Sequence, residues 1–432
     1  MPATTHTVIA AAGLALLAVP HSGCARTPAS QPARPPSAQA APAPPAKTIG
    51  EQGPLVGLIP GLPSAPAPSF VRLGLRLSYR VHTATVAGMG KDWRPDENGA
   101  WQTEDGQRWT PFDKGANAAE GIMQFEVVSL TPREAAVLAT FYLIPRPGAP
   151  PQMSFHYPIV GPASSTGGLW VAPDKLRTLA NRVTPNLKVQ RMPCAVGTGT
   201  RPAVWVQTLH ANGNRMYAYD EATGVLLHDA SSGTGPPSRV IGPLETSNTP
   251  STTLADGTLV GQRGVSRPWD AERPDTWAGS AGTLVYTGTS TVPTAGGAPL
   301  TLRQDMSVTP KDRGAGWVLY NTLLRTTNTL GMPPVTSPGE TICGLGQFGG
   351  AWLPPTVLTS LAKGRELDDD PHTGVRVTVD AADGSRVVIA ARNGAQGLRW
   401  TYDATTGIMV GFEKEDPTPL GRIRTRLTLQ RR

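Results

Sequence analysis

Few residues in this sequence are spaced for chemistry, and each such group has a plainer structural reading beside it. Asp368-Asp369-Asp370-Pro371-His372-Thr373-Gly374 is the densest acidic run, and its alternate oxygens could hold a hard cation such as calcium. It lacks the later bidentate glutamate of a helix–loop–helix calcium loop, so a polar turn ahead of a strand over 375–379 is expected instead. Gly344-Leu345-Gly346-Gln347-Phe348-Gly349 matches the GxGxxG spacing of a dinucleotide-binding turn. That turn needs a strand before it and a helix opening within it. Here Pro338 and Glu340 precede and Trp352-Leu353-Pro354-Pro355 follows, so a tight loop is expected. No GxSxG elbow, HExxH pair or P-loop occurs. A cysteine–histidine pair stays open, because Cys194, Cys343 and seven histidines are available, but no spacing singles one out. No metal ligand set, cofactor or catalytic residue is therefore assigned.

Aromatic residues give a second candidate. Residues 88–113 carry Trp93, Trp101 and Trp109 among Asp92, Asp96, Glu97, Glu104, Asp105 and Asp113. A hairpin turning at Glu104-Asp105-Gly106 would make Trp101 and Trp109 cross-strand partners. Such a face suits sugar rings or a protein partner, and it would equally serve to cap the edge of a neighbouring sheet.

Cys24 is the third. Residues 8–19 form an uninterrupted apolar run of signal-peptide length, followed by small residues at Ser22, Gly23, Cys24 and Ala25. Ser22-Gly23-Cys24 resembles the end of a bacterial lipobox, and that resemblance implies a lipid on Cys24. His21 stands where the motif prefers leucine, so cleavage after Ala25 without a lipid is the alternative. Residues 1–25 are thus expected as a signal peptide and 26–70, rich in proline and alanine, as a disordered tether. Export permits one disulfide between Cys194 and Cys343; two buried thiols are the alternative.

The elements that would position these groups come in two copies. Gly167-Gly168-Leu169-Trp170-Val171-Ala172-Pro173 is echoed by Gly349-Gly350-Ala351-Trp352-Leu353-Pro354-Pro355, 182 positions on. Tyr219-Asp220-Glu221-Ala222-Thr223-Gly224 is echoed by Tyr402-Asp403-Ala404-Thr405-Thr406-Gly407, 183 positions on. Leu77-Ser78-Tyr79 matches Leu284-Val285-Tyr286, and Thr131-Pro132-Arg133 matches Thr309-Pro310-Lys311. The order implies a tandem duplication, with units over 71–265 and 281–432 and a linker over 266–280. The first unit carries the extra length of the tryptophan-rich insertion.

Each unit reads as mainly β. Leu73, Leu75, Leu77, Tyr79 and Val81 alternate with polar residues, the period-two pattern of a half-buried strand. Asn212-Gly213, Asp256-Gly257, Asp383-Gly384 and Asn393-Gly394 are expected as hairpin turns. Pro173 and Pro355 suit the first turn of a short helix in each unit, with Leu176/Leu179 and Leu358/Leu361 on one face. The expected fold is a mainly β (α+β) duplication of a curved antiparallel sheet, half-barrel-like, with one short helix per unit. By architecture alone this looks like bacterial envelope half-barrels such as the periplasmic lipoprotein carriers; no motif of that family is present.

Composition agrees. The 432 residues include 48 glycines and 44 prolines, only 16% are charged, and the net charge is +7. Turns are abundant and the basic residues are scattered, except for Arg422, Arg424, Arg426, Arg431 and Arg432, which argues against nucleic acid. That terminal cluster would favour peripheral membrane association or merely a solvated strand face. The expected function is an exported protein of the bacterial periplasm or cell surface, non-catalytic, binding an apolar small molecule or a protein partner. The alternative is an exported hydrolase acting on cell-wall or glycan material through a cleft near the tryptophan-rich insertion.

Overall fold

The computed structural model describes residues 55, 57–87, 94–95, 101–102, 108–109, 117–145, 148–179, 181–210, 213–235, 251–270, 282–328, 333–394 and 396–431. The first half contains β1 (Leu75–Ala87), three two-residue strands β2 (Arg94–Pro95), β3 (Trp101–Gln102) and β4 (Arg108–Trp109), then β5 (Asn117–Leu130), β6 (Glu134–Ile144) and β7 (Gln152–Pro162). Helix α1 (Pro173–Arg177) leads into β8 (Arg182–Thr184), β9 (Leu187–Val196), β10 (Gly199–His210), β11 (Gly213–Asp220), β12 (Leu226–Gly235) and β13 (Ser251–Gly264). The second half repeats the plan with β14 (Leu284–Val292), β15 (Leu300–Gly314), β16 (Trp317–Asn328), β17 (Val335–Gly344) and α2 (Pro355–Leu358). It closes with β18 (Glu366–Asp369), β19 (Arg376–Ala382), β20 (Arg386–Arg392), β21 (Gly397–Asp403), β22 (Met409–Thr418) and β23 (Gly421–Arg431).

Each half is one ten-stranded antiparallel sheet with the same strand order: β7-β6-β5-β1-β13-β12-β11-β10-β9-β8 and β17-β16-β15-β14-β23-β22-β21-β20-β19-β18. The first strand of each unit pairs with its last, so the ends of the unit are stitched into the middle of the sheet. β9 touches β12 and β13 although β10 and β11 lie between them in the ladder, so the first sheet curls around its apolar face. Leu75, Leu77 and Tyr79 point into that curl with Val204, Val206 and Leu227.

The duplicated landmarks meet each other. Trp170 forms a bridge with Val225, and Trp352 with Ile408. Val171 N–H donates to the Gly224 carbonyl at 2.8 Å, and Leu353 N–H to the Gly407 carbonyl at 2.9 Å. The glycine of each YDxxTG turn is required twice over. Gly224 and Gly407 have φ of +78° and +73°, and a Cβ there would lie 1.8 Å from the Val171 carbonyl oxygen and 2.0 Å from that of Leu353. The Asp220 and Asp403 carboxylates take the free N–H groups of the same turns, at 2.8 Å from Thr223 and Thr406. Each short helix packs one leucine, Leu176 or Leu358, into the core beside its tryptophan.

Several expectations are corrected. The tether cannot run to residue 70, because Leu55, Ile59, Leu62 and Ala65 are buried in the first core. Apolar residues at that spacing gain more from covering the sheet than proline-rich chain gains from staying extended. The linker over 266–280 is not free at its start: Arg267 is buried, and Trp269 is fully buried in the second core. Asp256-Gly257 is not a turn but lies inside β13, opposite His82 and Val81. Thr131-Pro132-Arg133 does turn between β5 and β6, with Glu134 N–H donating to Thr131 Oγ at 2.9 Å. Thr309-Pro310-Lys311 instead lies within β15, and the equivalent hairpin turns after Gly314, at Ala315 and Gly316.

Candidate functional site

Three features stand out: the junction between the sheets, a groove at one end of the first sheet, and a polar row on its outer face. At the junction the GxGxxG run leaves β17 at Gly344 and continues as the expected turn, and that turn packs against the first unit. Gly344 and Gly346 let the second unit approach β5, where a Cβ would lie 2.5 and 2.0 Å from the Val128 and Val127 carbonyl oxygens. Gly346 N–H donates to the Val128 carbonyl at 2.9 Å. Val128, Ala136 and Val160 of the first unit share a small core with Trp317, Leu319 and Ile342 of the second, and Trp317 Nε1 donates to Glu134 Oε1 at 2.7 Å.

The acidic run closes this junction. Arg76 Nη1 donates to Asp368 Oδ2 and Asp370 Oδ2, both at 2.7 Å, and Arg263 Nη1 to Asp368 Oδ1 at 2.8 Å. Gln124 Nε2 donates to Asp370 Oδ2 at 3.0 Å, and Arg76 Nη2 to Glu126 at 2.8 Å. Arg267 also bonds Glu126. Three guanidinium groups thus face three carboxylates, and the calcium reading of 368–370 is replaced by an arginine–carboxylate lattice. Burial opposes the Arg76 charge, but Glu126, Asp368 and Asp370 outweigh it and hold its pKa above the ordinary value. Burial alone would raise the Asp370 carboxyl; Arg76 and Arg263 reverse that and hold it well below the usual range. The other oxygen of Asp370 caps its own turn, accepting from Thr373 N–H at 2.9 Å. The turn is a third copy of the Asp-x-x-Thr-Gly device.

The groove, of about 710 Å³, lies between the segment entering β1, the β9–β10 hairpin and the C-terminal half of β13. Phe70, Leu75, Val196, Leu259 and Val260 supply its apolar wall, and Arg72, Arg201 and Arg263 supply charge. It opens where β1 begins, while the tryptophan-rich insertion leaves from where β1 ends, about 40 Å away along a strand of this length.

Arg76, Ser78, Arg80 and His82 alternate with the core residues of β1 and face outward. Beyond the junction this face carries a row across four neighbouring strands. His82 Nε2 lies 3.8 Å from Glu120 Oε1, and its Nδ1 3.9 Å from Asp256 Oδ2. His228 Nδ1 lies 3.3 Å from Asp256 Oδ1 and 3.2 Å from Thr258 Oγ1. Arg80 pairs with Glu120, and the Trp205 ring centre is 5.7 Å from that of His228. Glu120 and Asp256 are both buried. Among the described residues the row exists in one unit only. Tyr79 and Tyr286 donate to the Leu226 and Met409 carbonyls at 2.8 and 2.9 Å, which aligns the two sheets. At the positions of Glu120, His82, Asp256 and His228 the second sheet then carries Arg303, Thr289, Arg426 and Gly411.

No protein-family model matches this chain, and no curated protein matches it. The site must therefore be read from its own residues.

The sequence candidates scatter. Cys24 and Trp93 lie outside the described residues, as does all of 1–54. β3 pairs with β4 so that Trp101 stands opposite Trp109, the register expected of that hairpin. Cys194 and Cys343 are buried free thiols, one in each core, so the disulfide between them is not made. Burial raises both, with Asp256 adding to Cys194, to about 11 for Cys194 and about 12 for Cys343, which leaves them protonated at neutral pH and poor nucleophiles. Three of the C-terminal arginines are answered by the neighbouring strand: Arg422 and Arg424 each lie 3.2 Å from Glu415, and Arg426 lies 2.8 Å from Glu413, while Arg432 lies outside the described residues. Sequence reading missed the row on β1, β5, β12 and β13. Its one signal was His82, an ionisable residue in an otherwise regular strand.

Proposed function

We propose that this is an exported cell-envelope protein, non-catalytic, that binds a molecule with an apolar body in the groove at the mouth of the first sheet. The observation that carries the reading is the groove itself, whose volume of about 710 Å³ falls in the range of small-molecule sites. The apolar interior of each curl is filled by its own chain, Leu55, Ile59, Leu62 and Trp170 in the first and Trp269, Trp352 and Leu358 in the second. A ligand is thereby directed to the mouth. The junction lattice supports the same reading, because it joins two sheets into one rigid support for the groove. The test is native mass spectrometry of the mature chain purified from its own host, with organic extraction, beside a Val260→Trp variant that fills the groove. A stoichiometric apolar adduct absent from the variant is expected. Protein that is free of adduct from every preparation, or an adduct indifferent to Val260→Trp, removes the reading and turns attention to protein partners.

A second reading, an exported hydrolase acting on cell-wall or glycan polymer, is favoured by one observation. His82 stands between two buried carboxylates, Glu120 and Asp256, and His82 and Glu120 lie on the strands that lead into and out of the tryptophan-rich insertion. A histidine so flanked can hold or pass a proton beside a polymer laid across the sheet. Release of reducing ends from such polymers by the wild type, lost in Asp256→Asn, would establish it. Absence of any release by the wild type would remove it.

A further inference from the structure

The groove's charge points to the chemical class of its ligand, and the inference rests on the groove-binding reading above. Three guanidinium groups line it, but their charges are not equally available. Arg263 spends both terminal nitrogens on Asp368 and Asp370. Arg201 lies 3.6 Å from Asp220, whose other oxygen holds a turn. Arg72 is exposed and makes no ion pair or side-chain hydrogen bond among the described residues. Its position is set by Gly264: a Cβ there would lie 2.3 Å from Arg72 Nη2, so the guanidinium rests on bare backbone at the groove wall. No acidic side chain is among the described residues lining the groove.

We propose that the groove takes an amphiphile with an acyl-type chain and a single carboxylate at its end. The chain lies against Phe70, Val196 and Val260, which are the partly open apolar residues of the groove, and the carboxylate meets Arg72, with Arg201 across the opening. A planar guanidinium free of other partners offers a carboxylate two parallel N–H donors, and the charge-assisted pair is the stronger for standing beside an apolar wall. An uncharged chain of equal length would gain the wall and leave Arg72 unanswered.

The test compares binding of hexadecanoate and hexadecanol, each below its aggregation concentration, to the full mature chain. Wild-type protein is expected to bind hexadecanoate at least tenfold more tightly than hexadecanol. Arg72→Gln should bring the two to equal affinity, and Arg72→Lys should keep part of the preference. Gly264→Ala should also erode it, with no change in net charge, because a methyl group there displaces the guanidinium. Val260→Trp should block both probes. Equal binding of the two probes, indifferent to Arg72→Gln but blocked by Val260→Trp, overturns the head-group inference and leaves the groove reading standing. Binding of neither probe, or binding indifferent to Val260→Trp, overturns both.

Discussion

Arg76 and Asp370, 294 positions apart in the chain, meet at 2.7 Å across the junction of the two sheets. Both side chains are buried, so the pair lives in a medium where an unanswered charge is expensive. Arg76→Met is therefore expected to cost about 3 kcal/mol or more, since it removes the buried guanidinium shared by Glu126, Asp368 and Asp370 and leaves Arg263 and Arg267 to answer all three. Urea denaturation measures it. A cost below about 1 kcal/mol, the value of a surface pair, would show that the junction is wet and the lattice weak.

The same lattice sets an acid limit. Asp370 is held below its ordinary pKa, so its contribution to stability is complete above the unfolded value of about 3.9 and is lost as pH falls through the depressed folded value. The stability difference between wild type and Asp370→Asn should thus shrink steadily on acidification below about pH 4. A difference that stays constant from pH 5 to pH 2 would mean that Asp370 does not titrate with the fold.

Gly224 and Gly394 share a left-handed backbone, but only Gly224 has a carbonyl oxygen where a Cβ would go. Gly394→Ala should cost only the conformational penalty, about 1 kcal/mol, whereas Gly224→Ala should cost at least about 2 kcal/mol. Gly407→Ala should behave like Gly224→Ala. Equal costs at Gly224 and Gly394 would argue that the tryptophan segment is not fixed across the turn.

The two buried thiols are expected to be silent in the native protein. Iodoacetamide at neutral pH should label neither Cys194 nor Cys343 until denaturant is added, and both should then be labelled without any reductant. Peptide mapping reads each site separately. Protection that persists in denaturant until a reductant is added would establish a disulfide.

Much of this architecture is legible along the chain, and the reason is local. The alternation of Leu75, Leu77 and Tyr79 needs only neighbouring residues to declare a strand with one buried face. The Gly-Trp and Tyr-Asp-Thr-Gly landmarks could be recognised as paired copies because each depends on backbone demands that tolerate few substitutes. Where local cues misled, a distant partner had intervened. Asp256-Gly257 has the composition of a turn, yet β1 and β12 pair with it on both sides and draw it into a strand. The segment from Leu55 is proline-rich chain by composition, yet its few apolar residues find a sheet to cover.

By itself, then, the sequence determined a duplicated β protein, because strand period, turn chemistry and repeated glycines act over a handful of residues. Only the tertiary structure decided what the charged residues do. It sent Asp368 and Asp370 to Arg76 and Arg263, set His82 between Glu120 and Asp256, and placed Arg72 at the groove with no ion-pair partner among the described residues. Those pairings join residues up to nearly three hundred positions apart, and a charge finds its partner through space, where the curl of one sheet and the docking of the other bring it.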